Sequence, residues 1–220
     1  MAVLQPDVIG LQEVVYPLQQ DRLLGAAGEG RYDAVRGWAG RPEYGNSLLV
    51  KAPLRPSDPE RLELGLQRAA HRVRIGLPGG TRLAFAVTHL HHVPADSRAR
   101  DEQAAALLGW LDRAPAHDAM VVVGDFNATP AEAAAQRMCD AGFRSAYELA
   151  NGADPAVTWP SGLQAPAMDT DGEPSCLDYI WVRGTVAVEE ARLFADRPAV
   201  GDPTLYPSDH LGIAARLRFG

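Results

Sequence analysis

Met120-Val121-Val122-Val123-Gly124-Asp125-Phe126-Asn127 is an unbroken apolar run that ends in a carboxylate and, two residues on, an amide. A run apolar throughout, rather than alternating, reads as a continuous apolar strand. The strand period of two points the side chains of Asp125 and Asn127 the same way. A carboxylate so placed can orient or deprotonate a water, and the amide can hold a phosphate or metal-bound oxygen beside it. Taken alone, the same residues also suit turn and capping chemistry ahead of a helix.

Four other segments end or begin in the same manner. Val8-Ile9-Gly10-Leu11-Gln12 runs into Glu13, and Leu83-Ala84-Phe85-Ala86-Val87-Thr88 runs into His89. Asp178 opens Asp178-Tyr179-Ile180-Trp181-Val182, and Ser208-Asp209-His210 precedes a C-terminal strand over 212–219. Acids and histidines recurring at strand ends point to one site assembled at the rim of a sheet, with carboxylates suited to a hard cation.

Between these ends the pattern predicts strands over 32–36, 45–51, 70–77, 82–89 and 186–194, with a hairpin turn at Pro78-Gly79-Gly80. Ala104, Leu107, Leu108 and Leu111 mark a helix from about Asp96 to Arg113. Thr129-Pro130-Ala131-Glu132 reads as a helix start, with Thr129 as N-cap and Glu132 closing a capping box, and Gly142 as the stop. Residues 151–176 are rich in Gly, Pro, Asp and Ser without periodicity, and so long an irregular stretch is more often functional than neutral. Trp159 within it either covers substrate or anchors the loop. Many strands with few helices indicate an α/β sandwich, and the hairpin argues against a purely parallel sheet.

The 220 residues are 46% hydrophobic and 22% charged, enough for one domain spanning 1–220. No stretch reaches the length a transmembrane span needs. The first residues lack the basic start and apolar core of a signal peptide, so the cytoplasm is the expected compartment, with export left open because the N-terminus reads as short. A formal net charge of −7 gives little general attraction to a long polyanion such as nucleic acid. Arg68, Arg72, Arg74, Arg98 and Arg100 would be the candidate backbone contacts were the chain a nuclease; a solvated arginine face is the plainer reading. Cys139 and Cys176 stand outside any metal-binding spacing and are expected as two reduced, buried thiols.

His210 can protonate a leaving oxygen or stabilise charge on a phosphoryl group, with Asp178 the natural partner to fix its tautomer. His89, His91 and His92 form a histidine-rich turn that lacks the companions of a zinc centre, and His91 and His92 read as surface residues. Glu13 and Asp209 match the modest ligand set of Mg2+, which keeps waters and substrate oxygens.

In this order the motifs Leu11-Gln12-Glu13, Thr88-His89-Leu90, Gly124-Asp125-Phe126-Asn127, Leu177-Asp178-Tyr179-Ile180 and Ser208-Asp209-His210 resemble the endonuclease/exonuclease/phosphatase superfamily, the fold of deoxyribonuclease I. The resemblance implies an α/β, four-layer α-β-β-α sandwich of two mixed β-sheets with the site at one end. It implies Glu13 and Asp209 at a Mg2+ site (Mn2+ as substitute), Asp125 activating water and Asn127 contacting the phosphate. His210, held by Asp178, and His89 would flank the scissile group. The resemblance also exposes a departure. Members usually begin with a core strand carrying an asparagine, whereas only 11 residues precede Gln12 here, so Met1 to Leu4 would be the tail of the first helix. An unpaired sheet edge beside Glu13 is then expected, and with it a homodimer through that edge or a catalytically impaired phospho-ligand-binding protein as the reading from another class.

Overall fold

The computed structural model describes residues 4–16, 18–27, 30–39, 41–165 and 172–220; the helix tail expected at residues 1–4 lies largely outside them. In chain order the elements are β1 (Val8–Val15), α1 (Leu18–Ala27), β2 (Tyr32–Ala39), β3 (Arg41–Lys51), β4 (Pro56–Gly65), β5 (Arg68–Gly76), β6 (Arg82–His89) and α2 (Ser97–Leu111). Then follow β7 (Ala119–Asp125), α3 (Ala133–Asp140), β8 (Arg144–Ser145), α4 (Ala146–Asn151), β9 (Asp178–Gly184), β10 (Val186–Phe194) and β11 (Gly212–Phe219).

Six strands form one mixed sheet in the order β4-β5-β6-β7-β9-β8. Its one parallel pair, β6 with β7, is joined by α2, because parallel neighbours need a crossover. The period of two divides β6 between two cores. Leu83, Phe85 and Val87 face a layer built of β1, β2, β3, β10 and β11. Ala84 and Ala86 face α2 and α3, where Leu107, Leu111 and Met138 are fully buried. Burying each such side chain contributes roughly 1.5–3 kcal/mol. Central β7 is buried on both faces, which is why its sequence is continuous rather than alternating.

The facing layer comes in two antiparallel pieces, β1-β3-β2 and β10-β11. Among the described residues β1 pairs only with β3, and β11 only with β10. Between these free edges runs a cleft of about 2700 Å³, lined by Val8, Leu11, Val123, Ile180, Ala215 and Leu217 among others. The unpaired edge expected beside Glu13 is therefore present.

Three local features differ from expectation. β4 escapes the strand pattern because Pro56 and Pro59 argue against a strand; it survives as a sheet edge, where a missing N–H costs little. α1 carries a weak apolar stripe and instead seats buried Gln20 on the Ser47 hydroxyl. α3 begins at Ala133 with Glu132, not Thr129, at its N-cap. Half of the expected box does form, since the Thr129 N–H donates to the Glu132 carboxylate at 2.7 Å. That carboxylate also takes the buried Arg100 guanidinium at 2.7 Å, which holds it away from the helix start. Gly142 ends α3 in the left-handed region, as its position predicts. Both cysteines are free, but Cys139 is exposed and only Cys176 is buried.

Candidate active site

β6, β7 and β9 end side by side. Their register pairs His89 with Asp125 and Asp125 with Asp178, so three chemically active side chains arrive at one rim by strand pairing alone. His210 joins them from the loop ahead of β11. Its Nδ1 lies 2.8 Å from Asp178 Oδ2, and its Nε2 lies 3.8 Å from Asp125 Oδ2. On the other side His89 Nε2 is 3.4 Å from the same Asp125 oxygen.

Asp125 is buried, and its conformation is set by the turn that follows. The Asn127 N–H donates to Asp125 Oδ1 at 2.7 Å, and the Asn127 side-chain amide donates to Oδ2 at 3.2 Å and to the Leu90 carbonyl. Asn127 adopts φ 48°, left-handed backbone that asparagine tolerates better than most residues. The amide thus orients the carboxylate beside it, and both its N–H groups are engaged within the protein rather than left for the phosphate contact expected from sequence.

Burial pushes the Asp125 carboxyl up to about 7, with the neighbouring Asp178 charge adding to the rise. Burial alone would lower His210, but the hydrogen bond and charge of Asp178 outweigh it and hold the imidazole up to about 9. His89 is held well below 6.5 by burial, then by the Arg68 charge. At neutral pH the site therefore holds a charged imidazolium and a neutral imidazole on either side of one carboxyl group.

Glu13 sits in a β-bulge between Leu11 and Val14, with φ 54°. The bulge turns its side chain, 56% exposed, into the cleft beside His89, 3.9 Å from Nδ1. The Tyr44 hydroxyl bonds Glu13 and Arg68, a contact that nothing in the sequence signals. Asp209 is half-buried next to His210. Thr158 clasps the ensemble: its hydroxyl accepts the N–H groups of Leu177 and Asp178, and its carbonyl accepts the Leu211 N–H. The Ser161 N–H then bonds the Asp209 carbonyl at 2.7 Å. Sequence reading missed Thr158, since a lone threonine in an aperiodic stretch carries no signal. Trp159 next to it lies with its ring centroid 6.4 Å from that of His210 and lines the cleft.

Other expectations change. His91 is half-buried rather than on the surface, its N–H held by Gln103 and its ring 3.6 Å from Asp96. Of the five arginines, Arg72 is buried against Trp110 and Glu60, and Arg100 is buried on Glu132 and two carbonyls. Arg74 and Arg98 pair with Asp58 and Glu102. These four carry structural or surface ion pairs; Arg68 is the one aimed beside Glu13 and His89.

Ligand atoms of Asp125, Asp178 and His210 lie within 4.8 Å of one another, close enough to hold an ion. Within that group the 2.8 Å Asp178–His210 contact already has hydrogen-bond geometry. Glu13 and Asp209, the ligands expected from sequence, lie outside that group, Glu13 facing the cleft with its carboxylate.

A two-sheet sandwich with an acid–histidine–acid relay at one rim has the architecture of hydrolases acting on ester bonds. The chain belongs to the endonuclease/exonuclease/phosphatase family, whose pattern matches residues 1–210. It is 33% identical over 155 residues to Nocturnin of Xenopus laevis and 32% identical over 154 residues to Nocturnin of Homo sapiens. Each match takes in 64% of this chain but only 38% and 34% of those relatives' length. In fold, all of the chain overlays 83% of the human Nocturnin catalytic domain with bound sulfate, at TM-score 0.80 and 23% identity. It overlays 88% of D. rerio TDP2 in complex with single-strand DNA product at TM-score 0.80 and 19% identity, 99% of this chain being covered. An endonuclease/exonuclease/phosphatase from Bacteroides vulgatus overlays at TM-score 0.77 and 24% identity, covering 100% of this chain and 87% of the other.

Proposed function

We propose that the chain is a Mg2+-dependent phosphoesterase (Mn2+ substituting) that hydrolyses a small or lipid-derived phosphoester by in-line attack of water. The observation that carries this reading is the relay Asp125–His210–Asp178, a buried carboxyl beside an imidazolium whose other nitrogen is held by a second carboxylate. Asp125, with a pKa near the working range, takes the proton of the attacking water. His210 donates a charged hydrogen bond to a phosphoryl or leaving oxygen, and Asp178 keeps it protonated and oriented. Asn127 fixes the Asp125 carboxylate, its side-chain N–H groups donating to Asp125 Oδ2 and to the Leu90 carbonyl. Neutral His89 donates to a second phosphoryl oxygen. Glu13 and Asp209 would hold the cation, which as a Lewis acid supplies charge stabilisation to the phosphoryl group.

The test is turnover of a panel of phosphodiesters, phosphomonoesters, sphingomyelin and short nucleic acids, after chelation and metal-by-metal restoration. Recovery with Mg2+ or Mn2+ supports the reading. Recovery with Zn2+ alone would refute the oxygen-donor centre. Phospho-ligand binding without turnover under any metal would favour the catalytically impaired alternative.

A further inference from the structure

Arg100 is a cation in the first turn of α2, where the helix dipole opposes positive charge, and it is only 2% exposed. Its place there follows from what it holds. Nη1 donates to the Val93 carbonyl at 2.6 Å, and Nη2 donates to the Pro94 carbonyl at 3.0 Å and to Glu132 Oε1 at 2.7 Å. Glu132 Oε2 in turn accepts the Thr129 N–H at 2.7 Å. The guanidinium thus ties the turn that follows β6 to the turn that follows β7. Nearer the rim the same two turns meet again, where the Leu90 N–H donates to the Asp125 carbonyl and the Asn127 side chain donates to the Leu90 carbonyl. Between these two ties stands Asn127, with left-handed backbone and an N–H that holds Asp125 Oδ1. Left-handed backbone at a residue other than glycine persists where its surroundings over-determine it.

We propose that Arg100, acting through Glu132, is a positioning residue for the reaction: it fixes the turn over 127–129 so that Asn127 keeps the Asp125 carboxylate aimed at the attacking water. Its route to the reacting atoms runs through Glu132, Thr129 and Asn127. This rests on the phosphoesterase reading and deepens it. Gln103, one turn along α2, braces the other side of the rim. Its Oε1 accepts the His91 N–H at 2.8 Å, and its Nε2 lies 3.3 Å from the Leu64 carbonyl. The buried face of α2 therefore grips the turns after β4, β6 and β7 together. An ion pair that only stabilised the fold would lower the melting temperature and leave the rate of folded protein alone. Positioning predicts a loss of rate at unchanged binding, since an error of about 1 Å at a reacting group can cost on the order of 10²-fold.

Arg100→Met keeps the length of the side chain and removes all three donations. Val93 and Pro94 are exposed and Glu132 is partly so, and water can take up the freed groups without loss of the fold. The first measurement needs no turnover: backbone amide hydrogen exchange in the metal-free protein, read by NMR. The Asn127 and Thr129 amides should exchange at least about tenfold faster in Arg100→Met, and less so in Arg100→Lys, while Val121 and Val122 of β7 keep wild-type rates. The second is turnover of bis(p-nitrophenyl) phosphate with Mg2+. Arg100→Met should lower kcat by about tenfold or more with KM within about twofold, the mark of an interaction realised in the transition state, and Arg100→Lys should recover part of it. Glu132→Gln, which loses the charge but keeps an acceptor for Thr129, should show the same pattern more weakly, and it carries the comparison should Arg100→Met fail to fold. Wild-type exchange at Asn127 and Thr129, exchange that rises in step with β7, or an unaltered kcat in the folded variant overturns the proposal. If the wild type turns over none of the probe with Mg2+ or Mn2+ while the local exchange difference stands, the tie is upheld and the phosphoesterase reading is what fails.

Discussion

Replacing Asp178 by asparagine removes one charge from the centre of the relay while keeping the shape of the side chain. In the wild type the Asp178 carboxylate accepts from His210 Nδ1 at 2.8 Å and offsets a burial that would otherwise lower the imidazole, giving a pKa of about 9. Against an ordinary 6.5 that is a rise of roughly 2.5, or about 3 kcal/mol at about 1.36 kcal/mol per pKa unit. The sign follows. A histidine whose folded pKa is raised contributes stability that is fully present below about 6.5 and lost as pH rises through about 9. In Asp178→Asn the desolvation remains and the main compensation goes, so the His210 pKa should fall by more than about 2 units, toward or below 6.5. The stability difference between the two proteins should shrink correspondingly above pH 9. NMR titration of the histidine ring protons in metal-free protein reads the pKa directly, with His210→Gln assigning the resonance among the six histidines. Urea melts at pH 6 and pH 9.5 read the linked stability. Wild-type His210 titrating near 6.5, or an unchanged titration in Asp178→Asn, would show that the contact does not charge the ring, and the reading of His210 as an imidazolium donor would fail with it.

Asp125→Asn and His210→Ala should each cut turnover by on the order of 10² or more while thermal melts stay close to wild type; folded variants with near-normal rates would dismiss the site. His71, buried with its Nε2 unpartnered, is lowered to about 4 by burial and then by the Arg61 charge. Its depressed pKa means stability present above 6.5 and lost on acidification toward 4, by up to about 3 kcal/mol, so His71→Leu should flatten that part of a stability-versus-pH curve; an unaltered slope would contradict the assignment. The free edges of β1 and β11 should promote strand pairing between copies, seen as a concentration-dependent dimer by light scattering. A monomer at all concentrations, with β1 amides as slow to exchange as those of β7, would count against open edges.

The parts of this molecule legible in its sequence are those where one physical signal acts alone. β7 announces itself because burial on both faces leaves no polar position until Asp125, and the capped ends of β6 and β9 do the same for His89 and Asp178. Order along the chain then supplies the grouping, and strand register turns three separate strand ends into one rim. What escaped were contacts that no local pattern encodes. Thr158 holds Asp178 and Leu211 in place through single hydrogen bonds across tens of residues, and Tyr44 reaches Glu13 only because a bulge turns that carboxylate. The arginines show the same limit from the other side. In sequence five of them look alike, and only partners distant in the chain decide their roles: Glu60 and Trp110 bury Arg72, Glu132 buries Arg100, and Arg68 is left charged at the mouth of the site. Which arginine lies beside the site is a property of the whole fold, and it is why a site whose carboxylates and histidines can be read from strand ends still needs coordinates to sort its cations.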